Sequence, residues 1–180
     1  MNPSAIHLLE KNPEKIVWEN LSANPSAIHL LEKNPEKIYW KYLSKNPAAI
    51  HLLEKNPEKI EWSRLSMNPA AINLLEKNPE KIYWEWLSMN PAAIHLLESE
   101  IANAEHENRQ DKIWWIYLSR NPAAIHLLES EVHHAALEYN PEKINWRPLS
   151  ENPAIFKSTK DEIYKSLYEI QNWIYKIFIL

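Results

Sequence analysis

The chain of 180 residues contains no cysteine and no glycine. Without cysteine there is no disulfide, no thiolate metal site and no thiol nucleophile. Without glycine there is no phosphate-cradling loop of the Walker or dinucleotide type. No uninterrupted apolar run reaches the roughly 18 residues that a membrane span needs. No basic segment precedes an apolar one near the start, so no secretory signal is expected. The expected setting is soluble, intracellular and cytoplasmic, with no membrane contact. A basic stripe is also missing. The net charge is −4. Residues 1–89 balance at 11 basic and 11 acidic side chains, whereas residues 90–151 hold 5 basic and 10 acidic ones. Nothing here replaces phosphate counterions, so no nucleic-acid partner is expected. The acidic segment suits a cation or a basic partner.

What the chain does contain is a repeat. The unit NPSAIHLLEKNPEKIVWENLSA occupies residues 2–23 and recurs from Asn24, Asn46 and Asn68. Longer versions begin at Asn90 and Asn121, and a degenerate stub begins at Asn152. Self-similarity at a fixed period is the signature of a solenoid, in which each unit buries its apolar face only against its neighbours.

Each standard unit contains Asn-Pro twice. Proline keeps the residue before it out of the α region, so each Asn ends one helix. Its side chain can cap the next helix, whose first position suits Pro. Two short helices per unit follow, about Pro3–Lys11 and Pro13–Ser22. At roughly 1.5 Å per residue each is about 14 Å long, too short to persist alone, so stacking must hold them. Ala5, Ile6, Leu8 and Leu9 gather on one face of the first helix, and Ile16, Trp18 and Leu21 line the second. The Trp series at 18, 40, 62, 84, 115 and 146 keeps phase with the core Leu and reads as core.

The pattern NPxAIxLLEKNPEKIxWxxLS, from residue 2 to the closing NPAIF at Asn152–Phe156, resembles the short-repeat arrays of proteins encoded by large DNA viruses. The resemblance implies an α-helical repeat protein of viral origin, or a consensus-engineered version of one, and brings no established activity with it. The two long units and the hydrophobic tail depart from the simple array.

Information should reside where the units differ. The position before the repeat Trp runs Val17, Tyr39, Glu61, Tyr83, Trp114, Asn145, and three residues later the series is Asn20, Tyr42, Arg64, Trp86, Tyr117, Pro148. Positions i and i+3 share a helix face, which pairs Tyr39 with Tyr42, Glu61 with Arg64, Tyr83 with Trp86, and Trp114 with Tyr117. Tyr, Trp and Arg are enriched at binding hot spots. Two readings are open: an aromatic stripe that binds a protein partner, or side chains packed in the grooves between units. His7, His29, His51, His95 and His126 form a second series, with Asn73 in the fourth unit. Helices 8–10 Å apart hold equivalent imidazoles too far apart to share an ion at about 2.0–2.1 Å, so a surface or locally hydrogen-bonded role is expected.

Units five and six each carry nine extra residues, ESEIANAEHENRQDKI from Glu98 and ESEVHHAALEYNPEKI from Glu129. The Asn-Pro that normally stops the first helix is gone, so both helices should run on and project as long hairpins. Glu131 and His134 are three apart, as are the Glu-x-x-His ligands of di-iron carriers. The equivalent stretch of unit five has Asn103 instead of His. A metal-binding alternative therefore rests on Glu100, Glu131 and His134 holding zinc or a similar ion. No resident cofactor is expected. No nucleophile–base constellation can be argued, since Ser22 and its equivalents belong to the repeat, so no enzyme is expected.

From Asp161, Ile163, Leu167, Ile170, Ile174 and Ile177 recur at helical steps. Solenoids need terminal caps, and surplus apolar surface on this segment would favour self-association. The sequence therefore predicts an all-α chain: an α-solenoid of short helical hairpins over residues 1–151, with long units at 90–120 and 121–151, and a C-terminal capping helix over 152–180. The function predicted is that of a non-catalytic protein-binding or structural scaffold.

Overall fold

A computed structural model describes residues 6–107, 111–138 and 146–154, with backbone alone for 132–138 and 146. The segment expected to cap the stack lies outside the described residues except for Asn152–Ala154. All regular structure among the described residues is helical, and the units pack against one another as an α-solenoid.

Unit two shows the pattern. A 3₁₀ turn at Pro25–Ala27 leads into helix Ile28–Lys33. A second 3₁₀ turn at Pro35–Lys37 is followed by extended Ile38 and Tyr39, and then by helix Trp40–Leu43. The expected second helix, Pro13–Ser22 in unit one, is thus not continuous. It is a 3₁₀ turn at Pro13–Lys15, an extended pair at Ile16 and Val17, and a short helix at Trp18–Ser22. The reason is local. The turn closes through Lys15 N–H to Asn12 O and Ile16 N–H to Pro13 O, and the β-branched Ile that follows it in each standard unit prefers extended backbone. Successive residues of an extended pair face opposite ways. Ile38 accordingly turns into the core at 9 % exposure, while Tyr39 turns out at 51 %.

The two Asn-Pro sites of a unit also differ, against the expectation that each Asn caps the helix that follows. Asn24, Asn46, Asn68 and Asn90 do cap forward, each Oδ1 accepting the N–H two residues on at 3.0–3.1 Å. Asn12, Asn34, Asn56 and Asn78 reach backward. Their Nδ2 groups donate at 2.8 Å to the carbonyls of Leu8, Leu30, Leu52 and Leu74, closing the preceding helix.

The forward-capping Asn series also holds the stack together. Asn68 Nδ2 donates to Ser44 O at 3.0 Å, near the end of unit two, and to Asn46 O at 3.1 Å, the first residue of unit three. Asn90 repeats this with Ser66 O and Asn68 O, and Asn152 with Ser119 O and Asn121 O. These amides are buried, and no buried side-chain N or O among the described residues lacks a partner. Around them lies a core of fully buried Leu and Ala at repeat positions, such as Ala49, Leu53 and Leu65.

The repeat Trp residues lie at the margin of this core rather than within it. They pack on it half-buried, and a Lys from the next unit covers three of them. Lys59 Nζ stands 4.7 Å from the Trp40 ring centre, Lys81 4.6 Å from Trp62, and Lys112 5.4 Å from Trp84. A cation over an indole face is favourable while its ammonium stays wet.

The long units behave as expected. Their first helices run on to Ile94–His106 and Ile125–Glu138, against Ile50–Lys55 in a standard unit. The additions leave the stack undisturbed: Asn121 Nδ2 reaches Ser88 O at 3.0 Å and Asn90 O at 3.1 Å, the same lengths as in the short units.

Removing one rung of this ladder should be costly. Asn68→Ala orphans the Ala70 N–H and one acceptor site on each of two buried carbonyls, at roughly 1–3 kcal/mol per group. We expect a loss of at least about 3 kcal/mol in urea denaturation. Asn68→Asp keeps the forward cap but sets a carboxylate against two carbonyls, and should be no less damaging. A wild-type midpoint for Asn68→Asp would overturn this assignment.

Candidate interaction surface

The residue before each repeat Trp is held in place by the unit preceding it. The backbone N–H groups of Tyr39, Glu61, Tyr83 and Trp114 donate at 3.0–3.1 Å to Ser22, Ser44, Ser66 and Ser88 Oγ. Each of these buried hydroxyls in turn donates to the carbonyl four residues back, at 2.7–2.9 Å. The serines are therefore inter-unit struts, and they fix where the outward-facing side chains stand. Along this row Tyr39, Glu61, Tyr83 and Trp114 are exposed, Tyr83 at 51 % and Trp114 at 49 %.

The second row sits lower. Tyr42, Arg64, Trp86 and Tyr117 are half-buried. Tyr117 stacks on Trp86 of the preceding unit, with centroids 5.8 Å apart and planes 17° apart, and on Trp114 of its own unit at 5.9 Å and 19°. The Tyr42 hydroxyl lies close enough to the Glu19 carboxylate of the preceding unit for a hydrogen bond to act on its titration. That bond, together with the Glu19 charge and burial, raises the Tyr42 pKa above the ordinary tyrosine value, while Arg64 opposes the rise. The two expected readings thus divide between two rows. Tyr39, Tyr83 and Trp114 form an outer face, whereas Trp86 and Tyr117 also join units by stacking and Tyr42 faces charges of its neighbours, Glu19 and Arg64. The rows differ because the outer residue is the extended one before the helix rather than a member of one helical face.

Ile116 belongs to the same surface at 40 % exposure and was missed in the sequence. The signal was available: the position after the repeat Trp holds Glu19, Lys41, Ser63, Glu85 and Arg147 elsewhere.

The His series is exposed and hydrogen-bonded, as expected, and its bonds link one unit to the next. His29, His51, His95 and His126 place Nε2 at 3.0, 2.8, 2.7 and 2.8 Å from Oε1 of Glu10, Glu32, Glu76 and Glu98. Asn73 occupies this position in unit four.

Of the proposed metal ligands, Glu100 is 5 % exposed and engaged with the returning arm of its own hairpin. Its Oε1 accepts the Lys112 N–H at 3.2 Å, and Oε2 lies 3.7 Å from Lys112 Nζ. Asp111 Oδ1 accepts from Ile113 N–H at 2.9 Å and from Trp115 Nε1 at 3.2 Å, which orients the same arm. Glu131 is half-buried on Ile125–Glu138, and the His134 side chain lies outside the described residues. Among the described residues no group of three or more His, Asp or Glu is placed to hold a metal ion, and no helix is long and apolar enough to cross a membrane.

No protein-family model, curated protein or solved structure matches this chain. The functional reading therefore rests on the surface itself.

Two outcomes follow from this geometry. Tyr42 has its pKa raised, so the stabilisation from its neutral hydroxyl is complete below the ordinary tyrosine range and is lost as pH rises through the raised value. The Cζ NMR resonance of labelled Tyr42 should titrate above a model tyrosine, and Glu19→Gln should bring it down; an unchanged titration would refute the Glu19 bond. Glu100→Ala should cost about 1.5–3 kcal/mol of stability, the range for a hydrogen bond to a charged group. Glu100→Gln should cost less, because its amide oxygen still accepts the Lys112 N–H. Equal losses in thermal denaturation would place the importance of Glu100 in its charge.

Proposed function

We propose that this chain is a non-catalytic repeat scaffold that binds a protein partner through its outer aromatic row, centred on units four and five. The carrying observation is that Tyr83 and Trp114 leave half of their surface in water at a position whose backbone is pinned to the preceding unit. Tyr and Trp offer large contact area with few rotatable bonds, which makes them favoured anchors at interfaces. A pinned backbone lowers the ordering cost of binding. The stack of Trp86, Tyr117 and Trp114 ties Trp114 to the aromatic row of unit four, and a cluster of this kind marks an interaction site. The frame beneath supplies spacing and takes no part in chemistry.

The test is affinity capture from an extract of the source cells with the wild-type chain and with Tyr39→Ala/Tyr83→Ala/Trp114→Ala, followed by titration of the purified partner. These side chains are exposed, so helicity should be unchanged while affinity falls at least about 100-fold, or roughly 2.7 kcal/mol. A partner that binds both forms equally would overturn the proposal.

A further inference from the structure

We infer that the stack carries a built-in hinge at the junction of units three and four, open along the first-helix edge and turning about the Asn and Ser ladder. The inference stands apart from the docking reading, because it concerns how the frame moves and not what binds to it.

The first-helix edge is clasped at the other junctions among units one to six. His29–Glu10, His51–Glu32, His95–Glu76 and His126–Glu98 tie units one to two, two to three, four to five and five to six. Between units three and four the carboxylate is present as exposed Glu54, but Asn73 stands where the other units carry His. The Asn side chain is shorter than His, and neither it nor the Glu54 carboxylate makes a hydrogen bond or ion pair with a described residue. The helix that carries Asn73 also closes less firmly. It spans Ile72–Glu76, against Ile50–Lys55 one unit earlier. Its closing bond, from Lys77 N–H to Asn73 O, is stretched to 3.4 Å.

The opposite edge is as tight here as elsewhere. Tyr83 N–H donates to Ser66 Oγ at 3.1 Å, Lys81 Nζ stands 4.6 Å from the Trp62 ring centre, and Asn90 Nδ2 donates to Ser66 O at 3.0 Å. The junction of units two and three gives 3.0, 4.7 and 3.0 Å for the same three contacts. One edge is therefore pinned by buried polar groups that are costly to part, while the other lacks its exposed clasp. Rotation about a packed edge is hinge motion, in which a few residues at element ends absorb the displacement. Tyr39 and Tyr42 belong to one side of this junction, and Tyr83, Trp86 and Trp114 to the other. The hinge thus varies the angle between the two halves of the outer row. An exposed pair is worth little by itself, so the missing clasp biases local opening by about 2- to 5-fold.

Amide hydrogen exchange of the full chain near neutral pH, resolved by NMR, tests this, because exchange reports local opening. Leu75, Glu76 and Lys77 should exchange about 2- to 5-fold faster than Leu53, Glu54 and Lys55. Both stretches lie in the same run, Leu-Leu-Glu-Lys, so their intrinsic rates match. Asn73→His should remove the difference by completing the link to Glu54. Asn and His have similar helix propensities, so propensity alone does not produce that slowing. Asn73→His/Glu54→Ala should lose it again. The reverse change, His51→Asn, should speed exchange at Leu53–Lys55 by a similar factor and so create a second hinge. Equal rates in the wild type, no slowing in Asn73→His, a slowing that survives Glu54→Ala, or unchanged exchange in His51→Asn would each overturn the inference. Partner binding lost on Tyr39→Ala/Tyr83→Ala/Trp114→Ala bears on the docking reading alone.

Discussion

A buried amide governs this structure. From Asn68 onward each forward-capping Asn accepts one N–H from its own unit and donates to two carbonyls at the junction where the preceding unit begins. A primary amide has donors and an acceptor in one planar group, so a single side chain both starts a helical turn and ties it to its neighbour. The geometry allows no substitute. Ser could cap but is too short to reach across, and Asp offers acceptors only. Because the group is almost wholly buried, leaving it unsatisfied is expensive, and successive units are therefore held at one spacing. That is why nine residues can be added at the far end of a unit without changing the distances of the ladder.

The rest of the unit follows from this fixed stack. A chain without glycine must turn using ordinary residues, and it does so with 3₁₀ turns begun by Pro and closed by an extended pair. The first residue of that pair drops into the core. The second gives its N–H to a Ser of the preceding unit and sends its side chain outward. The Ser hydroxyl also donates to the carbonyl of the repeat Trp, so the Trp, the Ser and the outer residue form one connected piece. The Lys above the Trp ring comes from the following unit. Two consecutive units thus build each such piece: Trp40 and Ser44 from one, Lys59 and Glu61 from the next.

Much of the architecture was legible in the sequence because it is set within a unit. The repeat period, the helix stop at each Asn-Pro and the run-on helices of units five and six all depend on short-range rules. What was not legible depends on contacts between units. The same Asn-Pro dipeptide takes φ −134°, ψ 62° at Asn34 and φ −83°, ψ 115° at Asn68, and the Asn68 amide is the one that reaches residues of other units. The His–Glu links join residues 19 apart in standard units and 28 apart at the long one, a relation that helical periodicity cannot reveal. The candidate surface was half visible. The variable positions could be read off, but an i, i+3 relation on a continuous helix set both rows on one face. The extended pair places the outer residue before the helix begins, which separates exposed Tyr83 from half-buried Trp86.

The outer row shows what the pinned backbone permits. Leaving half of a Tyr or Trp side chain in water forgoes roughly 2–3 kcal/mol of burial at about 25 cal/mol per Å² over 150–250 Å². A chain selected for stability alone would place polar residues there, as Glu61 shows that the frame accepts. The bonds that hold this position use only its backbone N–H, so Val17, Tyr39, Glu61, Tyr83 and Trp114 are interchangeable as far as the stack is concerned. Fold and recognition are thereby separated: the invariant Asn, Ser and Leu carry the stack, and a substitution in the outer row alters the surface without disturbing the ladder. Large aromatics at two neighbouring outer positions, one of them stacked on Tyr117, are then best explained by what they touch outside the unit rather than by anything they do within it.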